Sequence, residues 1–261
     1  MKNKTISLLI LSLIFFSCDN QKNVNETVVL CGASMRTAME EVKNRYAKVS
    51  NDKILINYGG SGELCAQIKL SGRGDVFLCH DPFMPWAEKN GLISRWDTLA
   101  YLDPVIIVPK ENIKNIKKFS DLARPGLRIG IGDTTYSTSG HVIKNALKNS
   151  PFGNAIMSNV VAQSKGHQTR CNYVVEGALD AAIVWNAVAH EFSDKLKTII
   201  MPKDSIDAVT SATYQESDLK NVKVTVGVTT KAKDSQHVNS FYDFIISDCK
   251  DIFVNHGFRE N

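Results

Sequence analysis

Short apolar runs alternate along this chain with stretches of helical periodicity, and this alternation limits the possible folds more than any other feature. The runs TVVLCGA, KILINY and DVFLC predict buried strands, and a helix is predicted after each of them. The first of these helices has one apolar face, formed by Met35, Ala38, Met39, Val42 and Tyr46. Strands that alternate with helices form a parallel sheet covered by helices on both faces. The sequence therefore predicts an α/β fold.

The same pattern starts again after the run LDPVIIVPK, which spans Leu102–Lys110. More strands and helices follow, the run VKVTVGVTTK resembles a return strand, and two helical segments close the chain. We expect two lobes, each a mostly parallel sheet flanked by helices, joined by two crossover segments that let the lobes close on a ligand. The first lobe is predicted to comprise 27–102 plus 229–261, and the second to comprise 103–228.

The first residues have the layout of a secretory signal, with two lysines before an apolar core of Ile6–Phe16. That core is too short to span a membrane, which takes about 20 apolar residues. Its end at Ser-Cys resembles the lipobox of bacterial lipoproteins. We expect 1–18 to be a lipoprotein signal ending at a lipidated Cys18, 19–26 to be a tether, and the protein to be exported to the periplasm or cell envelope. An ordinary cleaved signal with a cysteine nearby is the alternative.

The charge balance argues against a nucleic-acid partner. The formal net charge is +4, and the predicted signal contains Lys2 and Lys4 but no acid, so the mature chain would carry +2. Nucleic-acid binders show a basic patch or a strong positive excess, whereas the lysines here are spread singly or in pairs. We expect no nucleic-acid partner.

The cysteines do not form a metal-binding pattern. No CxxC occurs, and the spacings match no zinc motif, so we expect mostly buried thiols at Cys31, Cys65, Cys79, Cys171 and Cys249. The triplet CHD, Cys79 to Asp81, contains metal-ligating residue types, but neighbours at the end of a strand point in opposite directions. The prediction is therefore that no protein side chain coordinates a metal directly.

Hydroxyl-bearing residues follow three of the predicted strands, at Ser34, at Ser61 and in the segment STSGH, which contains Ser139. Ligands of open parallel sheets bind beyond the carboxyl ends of the strands, where helices begin. The first N–H groups of a helix lack intrahelical partners and attract anions, and serine adds a hydroxyl donor. A serine in this position is also the commonest helix cap, so each one alone has a purely structural explanation. Three together favour an anion site.

Catalytic motifs are not evident. The sequence GGSGEL does not fit the G-x-S-x-G nucleophile elbow, and no strand is followed by a phosphate-binding P-loop. None of the six histidines belongs to a recognisable triad or metal motif. An exported hydrolase using Ser61 or a cysteine, and a structural envelope lipoprotein, remain as alternatives to a binding protein.

The ordered set of segments resembles the periplasmic molybdate-binding proteins, the solute receptors of molybdate and tungstate ABC importers. The resemblance is carried by CGASMRTAMEEVKNRYA, NYGGSGELCAQI, GDVFLCHDPFMPWAEKNGLI, PGLRIGIGD, GALDAAIVW and SFYDFIISDCKDIFVNHGF. It implies a two-lobed periplasmic-binding-protein fold of type II, a monomer that binds molybdate or tungstate, and delivery to an ABC permease. It implies no catalysis and no cofactor.

Matched position by position, this resemblance also implies the site. The family's two oxyanion-binding serines fall on Ser34 and Ser61, and the loop that offers a backbone N–H falls on Ser139. A second helix start falls near His167, where SKGHQTRCN differs from the family, and the tyrosine hydroxyl that closes the site is replaced by Trp185. A donor-only cage suits a fully ionised oxyanion, because an indole N–H can donate and never accept. Another small anion, such as sulfate, phosphate or a phosphonate, is the alternative ligand.

Overall fold

The computed structural model describes residues 24–201 and 221–260. The predicted signal 1–18, the lipidation at Cys18 and residues 19–23 of the tether lie outside the described residues. The strands of the described part are β1 Glu26–Gly32, β2 Lys53–Gly59, β3 Val76–His80, β4 Ile93–Leu102, β5 Pro104–Pro109, β6 Ile129–Gly132, β7 Val160–Ser164, β8 Ala181–Trp185, β9 Leu196–Ile200 and β10 Val222–Thr229. Its helices are α1 Arg36–Tyr46, α2 Ser61–Ser71, α3 Phe83–Lys89, α4 Thr138–Lys148, α5 Gly153–Ser158, α6 His167–Val175, α7 Asn186–Glu191, α8 Gln236–Asp248 and α9 Lys250–Asn255.

The strands form two five-stranded sheets of matching design, with the orders β2-β1-β3-β10-β4 and β7-β6-β8-β5-β9. In each sheet four strands run in one direction, and one, β10 or β5, runs against its neighbours. The predicted α/β fold with two lobes and mostly parallel sheets is confirmed. Among the described residues, no helix is long and apolar enough to cross a membrane.

The boundaries of the lobes agree with the sequence analysis at one crossing and differ at the other. The chain leaves the first sheet at Asp103, between β4 and β5, close to the predicted boundary. It is back in the first sheet by Val222, because β10 pairs with β3 and β4. The assignment of 103–228 to the second lobe is therefore wrong for this strand. Its apolar pattern identifies a buried strand but cannot indicate which of two similar sheets it joins.

Two of the strands that carry the site, β6 and β8, are buried on both faces, as expected for sheets covered by helices. All five residues of β8 are buried, and so are all four of β6. Burying one aliphatic side chain stabilises a fold by about 1.5–3 kcal/mol, so these strands hold their ends in fixed positions. The rigid strand ends and the helices that begin beside them can therefore serve as the walls of a site.

Hydrogen bonds help to fix the first crossing, between the buried residues Leu102 and Pro104. The backbone N–H of Asp103 donates to the side chain of Asn186 over 2.9 Å, and Arg259 donates to the Asp103 carboxylate over 2.8 Å. Asn186 also donates to the carbonyl oxygen of Gly257 over 2.8 Å. These contacts tie the carboxyl-terminal segment to both lobes at the point where the chain passes between them.

The five cysteines within the described residues are buried free thiols, as the sequence analysis predicted: Cys31, Cys65, Cys79, Cys171 and Cys249. Burial raises the pKa of Cys65 to about 11, and those of Cys171 and Cys249 to about 12. These thiols are therefore protonated at neutral pH and act as small apolar side chains.

Candidate functional site

A cleft of about 330 Å³ lies between the lobes, where helix starts from both sheets face each other. Residues from both lobes line it, and they include all five predicted site residues: Ser34, Ser61, Ser139, His167 and Trp185. Residues that are far apart in sequence thus meet at one place because the strand ends of both sheets point toward the cleft.

Ser61 is the first residue of α2, and its hydroxyl is the most unusual polar group of the cleft. The residue is 5% exposed, and its Oγ makes no hydrogen bond to any described residue. An unsatisfied buried hydroxyl costs about 1–3 kcal/mol, so such a group is uncommon without a functional reason. The α2 backbone begins its hydrogen bonding with Leu64 N–H donating to Gly60 oxygen, which leaves the earlier N–H groups available as donors.

Gly32, the last residue of β1, makes room for that hydroxyl. A Cβ at this position would lie 2.8 Å from Ser61 Oγ and 2.6 Å from Met35 Cε. Ser34 follows directly in a short 3-10 turn, Ala33–Met35, that leads into α1. Its hydroxyl contacts Met35 Sδ over 3.1 Å, a weak acceptor that an anionic oxygen would replace readily. The first-lobe wall therefore offers two hydroxyls and the backbone donors of helix starts.

Ser139 lies in the first turn of α4, which is capped by Ser137 rather than by Ser139. The Ser137 hydroxyl accepts from the Gly140 N–H over 3.0 Å, whereas the Ser139 N–H has no acceptor among the described residues. Ser139 is 3% exposed, and its Oγ lies 3.4 Å from that of Ser137. Gly132 at the end of β6 leaves the necessary space, since a Cβ there would lie 2.5 Å from Ser139 Oγ.

His167 is the first residue of α6, and its partners fix its tautomer. Its Nδ1 lies 2.9 Å from an Arg170 Nη2 and 3.3 Å from the backbone N of Trp185. Both partners can only donate, so Nδ1 is the acceptor and a neutral ring carries its proton on Nε2. Burial, with Arg170 and His80 adding to it, holds the pKa of His167 well below its usual range. His167 is thus a neutral donor at the cleft.

Trp185 ends β8 and lies between two imidazoles. Its ring stacks on His167 at 5.7 Å between centroids and meets His80 edge-on at 6.1 Å. Trp185 is 1% exposed, and within the described part of the chain its hydrogen bond is made by the backbone N–H and not by the indole N–H. An indole buried in this way normally finds an acceptor, which makes this N–H a further donor for a ligand.

His80 also lines the cleft, although sequence reasoning did not select it. Its Nδ1 lies 2.8 Å from the carbonyl oxygen of Asp81, which can only accept, so the proton of a neutral ring is on Nδ1. Burial lowers the pKa of His80, partly offset by this hydrogen bond. Its Nε2 is therefore an acceptor, and the wall of the cleft is not made of donors alone.

The mouth of the cleft carries one ion pair between the lobes. Lys165, in the loop between β7 and α6, lies 3.5 Å from Glu63 in the first turn of α2, and both side chains are more than half exposed. Lys165 also lies 5.2 Å from the centroid of the Tyr136 ring. An exposed pair of this kind contributes about 0–1 kcal/mol, so it stabilises the observed arrangement of the two lobes only slightly.

The described residues contain no group of three or more His, Cys, Asp or Glu side chains that could hold a metal ion. The cleft instead collects hydroxyl, indole, imidazole and backbone donors, which match the oxygens of an anion. Two residues were missed by sequence reasoning, His80 and Arg170. The His-x-x-Arg spacing, which places two side chains on one helix face, was the available signal for Arg170.

Known proteins share this architecture. A family described as bacterial extracellular solute-binding protein matches residues 27–259. The molybdate-binding protein ModA of Mycobacterium tuberculosis is 27% identical over 180 residues, which is 67% of each chain.

Solved structures agree on the fold. The periplasmic molybdate-binding protein of Azotobacter vinelandii superposes with a TM-score of 0.72 and 17% identity, covering 90% of this chain and 99% of that one. PEB3 with bound L-phospholactate superposes with a TM-score of 0.70 and 18% identity, covering 90% of this chain and 100% of that one; PEB3 comes from Campylobacter jejuni.

Proposed function

The chain belongs to the family of bacterial extracellular solute-binding proteins, and on that premise we propose that it captures molybdate or tungstate and delivers the anion to an ABC importer. The observation that carries this proposal is the buried Ser61 hydroxyl without a partner, at a helix start that faces the cleft. A bound oxyanion would supply the missing acceptor. The similarity to ModA supports the choice of ligand.

The cleft can surround such an anion with donors from both lobes. Ser34 and Ser61 offer hydroxyls from the first lobe, while Ser139 offers its N–H, and His167 and Trp185 offer ring N–H groups from the second. Each hydrogen bond to a charged partner contributes about 1.5–3 kcal/mol. No reaction and no cofactor belong to this proposal. We also propose that Cys18 carries the lipid anchor that keeps the receptor near its permease.

Calorimetric titration of the ligand-free protein tests the ligand. We expect molybdate and tungstate to bind more tightly than sulfate, because discrimination between anions of equal charge and equal acceptors depends on the size of the cage. Ser61→Ala should weaken binding of molybdate. Sulfate binding as tight as molybdate binding, or no heat with either molybdate or tungstate, would reject this ligand.

A small organic phosphate or phosphonate is a second candidate, favoured by two observations. His80 offers an acceptor nitrogen, which a fully ionised tetraoxyanion cannot use but a protonated phosphoryl oxygen or a ligand hydroxyl can. The cavity of about 330 Å³ also lies within the range of roughly 300–1,000 Å³ that small-molecule sites occupy, and so exceeds the needs of a five-atom anion. Titration with 2-phosphoglycolate in the same series distinguishes the two: binding tighter than that of molybdate would favour this candidate.

A further inference from the structure

We propose that Arg170 supplies the positive charge that holds a dianionic ligand in this cleft, and that it acts through His167 without touching the ligand. The inference rests on the proposed function in one respect, namely that the cleft binds a small oxyanion. It changes the expected chemistry of the site, because the site residues that the resemblance implied include no lysine or arginine.

Arg170 is completely buried and has no acidic partner within the described residues. Its guanidinium donates to the carbonyl oxygen of Ile183 over 3.1 Å, to the carbonyl oxygen of Ser164 over 2.5 Å and to His167 Nδ1 over 2.9 Å. All of these acceptors are neutral. Buried charges in proteins are almost always paired, since an unpaired one is costly. A bound anion would provide the absent negative charge.

Other charges near the cleft do not fill this role. Among the cleft-lining residues of the described part, Lys165 and Glu63 are the only lysine, arginine, aspartate or glutamate, and they pair with each other at the exposed mouth. Burial lowers the pKa of Arg170 to about 10, which leaves its guanidinium charged at neutral pH. Arg170 is thus the uncompensated cation behind the cleft wall.

His167 connects this charge to the ligand. Its Nδ1 accepts from the guanidinium, which fixes the proton on Nε2 and polarises that N–H toward stronger donation. Arg170 lies one helical turn after His167 in α6, so the two side chains share one face of the helix. Arg170 is therefore a positioning residue that also contributes charge, while His167 is the group that contacts the ligand.

The test compares tetrahedral anions of different charge. Calorimetry at fixed ionic strength would measure binding of the dianions molybdate, tungstate, sulfate and hydrogen phosphate, and of the monoanions perrhenate and perchlorate, to the wild type and Arg170→Gln. A Coulomb energy is proportional to the ligand charge. We expect Arg170→Gln to weaken dianion binding by about a hundredfold and monoanion binding by only about tenfold. The matched control is Arg128→Gln, which removes a guanidinium that is paired with Asp180 in the same lobe. This control should change the affinity for neither dianions nor monoanions.

Equal losses for dianions and monoanions in Arg170→Gln would show a merely structural role and overturn the proposal, as would unchanged binding. If Arg170→Gln does not fold, Arg170→Lys decides the question. A buried lysine has a lowered pKa, so the dianion affinity of Arg170→Lys should fall several-fold between pH 7 and pH 9, an interval in which the wild-type guanidinium, with its pKa of about 10, stays mostly charged. A flat profile in Arg170→Lys would contradict the inference. His167 and Cys171, the titratable neighbours, do not change charge in this interval, because their pKa values lie well below and, at about 12, above it.

The same titrations separate this inference from the identity of the solute. One outcome is that molybdate and tungstate fail to bind while sulfate or phosphate binds, and that Arg170→Gln weakens binding of the dianions more than that of the monoanions. In that case the proposed solute is wrong and the role of Arg170 stands. If molybdate binds equally to the wild type and Arg170→Gln, the role of Arg170 is wrong and the solute stands. If no anion in the series binds the wild type, both are wrong.

Discussion

The two walls of the cleft share an architecture but differ in chemistry. Both are formed where helices begin beside the ends of buried strands, in sheets with the same strand arrangement. Within the described residues, the first-lobe wall presents hydroxyls without a buried cation behind them, whereas the second-lobe wall presents His167 and Trp185 with Arg170 behind. The fold therefore brings donors from both lobes to one cleft, and in our proposal the second lobe adds a buried positive charge that the first-lobe wall lacks.

One packing arrangement, a glycine against a serine hydroxyl, is common to both lobes. A strand ends in glycine, at Gly32 or Gly132, and the space where a Cβ would lie is taken by the hydroxyl of Ser61 or Ser139. The consequences differ because the Ser61 hydroxyl has no partner, while the Ser139 hydroxyl lies beside that of Ser137. We therefore expect the same packing to present a hydroxyl donor to a ligand in one lobe and to position a backbone N–H in the other.

The sharpest test of the first-lobe wall is Ser61→Ala. We expect molybdate affinity to fall by roughly tenfold to a hundredfold, because one hydrogen bond to a charged ligand is lost. The ligand-free protein should unfold at an equal or higher temperature, since the change removes an unsatisfied buried hydroxyl. The control is Thr27→Val, which removes another buried hydroxyl without a partner, away from the cleft, and should leave affinity unchanged. Equal losses of molybdate affinity in Ser61→Ala and Thr27→Val would refute the role of Ser61.

This packing of glycine against serine can be disrupted in each lobe by replacing the glycine with alanine. Gly132→Ala should destabilise the protein by about 2 kcal/mol, because its Cβ would lie 2.6 Å from the Gly140 backbone N, which cannot move aside easily. Gly32→Ala should cost less, because the atoms it meets belong to the side chains of Met35 and Ser61. Urea unfolding would measure both. A larger loss of unfolding free energy in Gly32→Ala than in Gly132→Ala would contradict this prediction.

The second-lobe wall depends on the indole donor. Trp185→Phe keeps an aromatic ring against both imidazoles but removes the N–H, and we expect molybdate affinity to fall by about tenfold. Trp96→Phe in the first lobe is the control for loss of an indole. Unchanged molybdate binding in Trp185→Phe would remove this residue from the site.

The stability of the ligand-free protein should depend on pH through the histidines of the cleft. His167 and His80 have folded-state pKa values below the usual value of about 6.5, so the unfolded chain takes up more protons as the pH falls below 6.5. Stability is then lost on acidification, by up to about 1.4 kcal/mol per pH unit for each histidine. Urea unfolding between pH 8 and pH 5.5 should show this loss, and His167→Gln should reduce it. If His167→Gln showed the same pH dependence as the wild type, His167 would not be a source of the loss of stability on acidification.

The smallest effect is expected at Ser139. Alanine keeps the backbone N–H that we assign to the ligand, so Ser139→Ala should change molybdate affinity by less than about threefold. The same titration that measures Ser61→Ala checks it. A loss as large as that of Ser61→Ala would mean that the two lobes bind through the same kind of donor.

The sequence contained enough to predict the architecture and five residues of the cleft wall. Alternating strands and helices indicated two α/β lobes, and serines after strand ends indicated Ser34 and Ser61 as donors. Ser139 was selected correctly as a cleft residue, but the cap of α4 is Ser137. Because serine is common both as a cap and as a ligand donor, spacing alone does not distinguish the two roles.

Other features depend on packing across the chain and could not be predicted. Arg170 occupies a polar stretch of sequence in which arginine is usually exposed, and it is buried only because α6 packs against β8. His80 was set aside as an ordinary histidine, since its tautomer depends on a carbonyl contact at a strand end. The return of β10 to the first sheet was misplaced because its apolar pattern fits either sheet.

The five buried thiols determine how this protein responds to oxidation and alkylation. Thiolates are the reactive form of cysteine, and burial keeps these groups protonated. A receptor that works outside the cytoplasm is therefore protected from wrong disulfides only while it is folded, and is vulnerable during export. The same property makes the rate of labelling by iodoacetamide a measure of how often the lobes unfold, and a bound ligand should slow it.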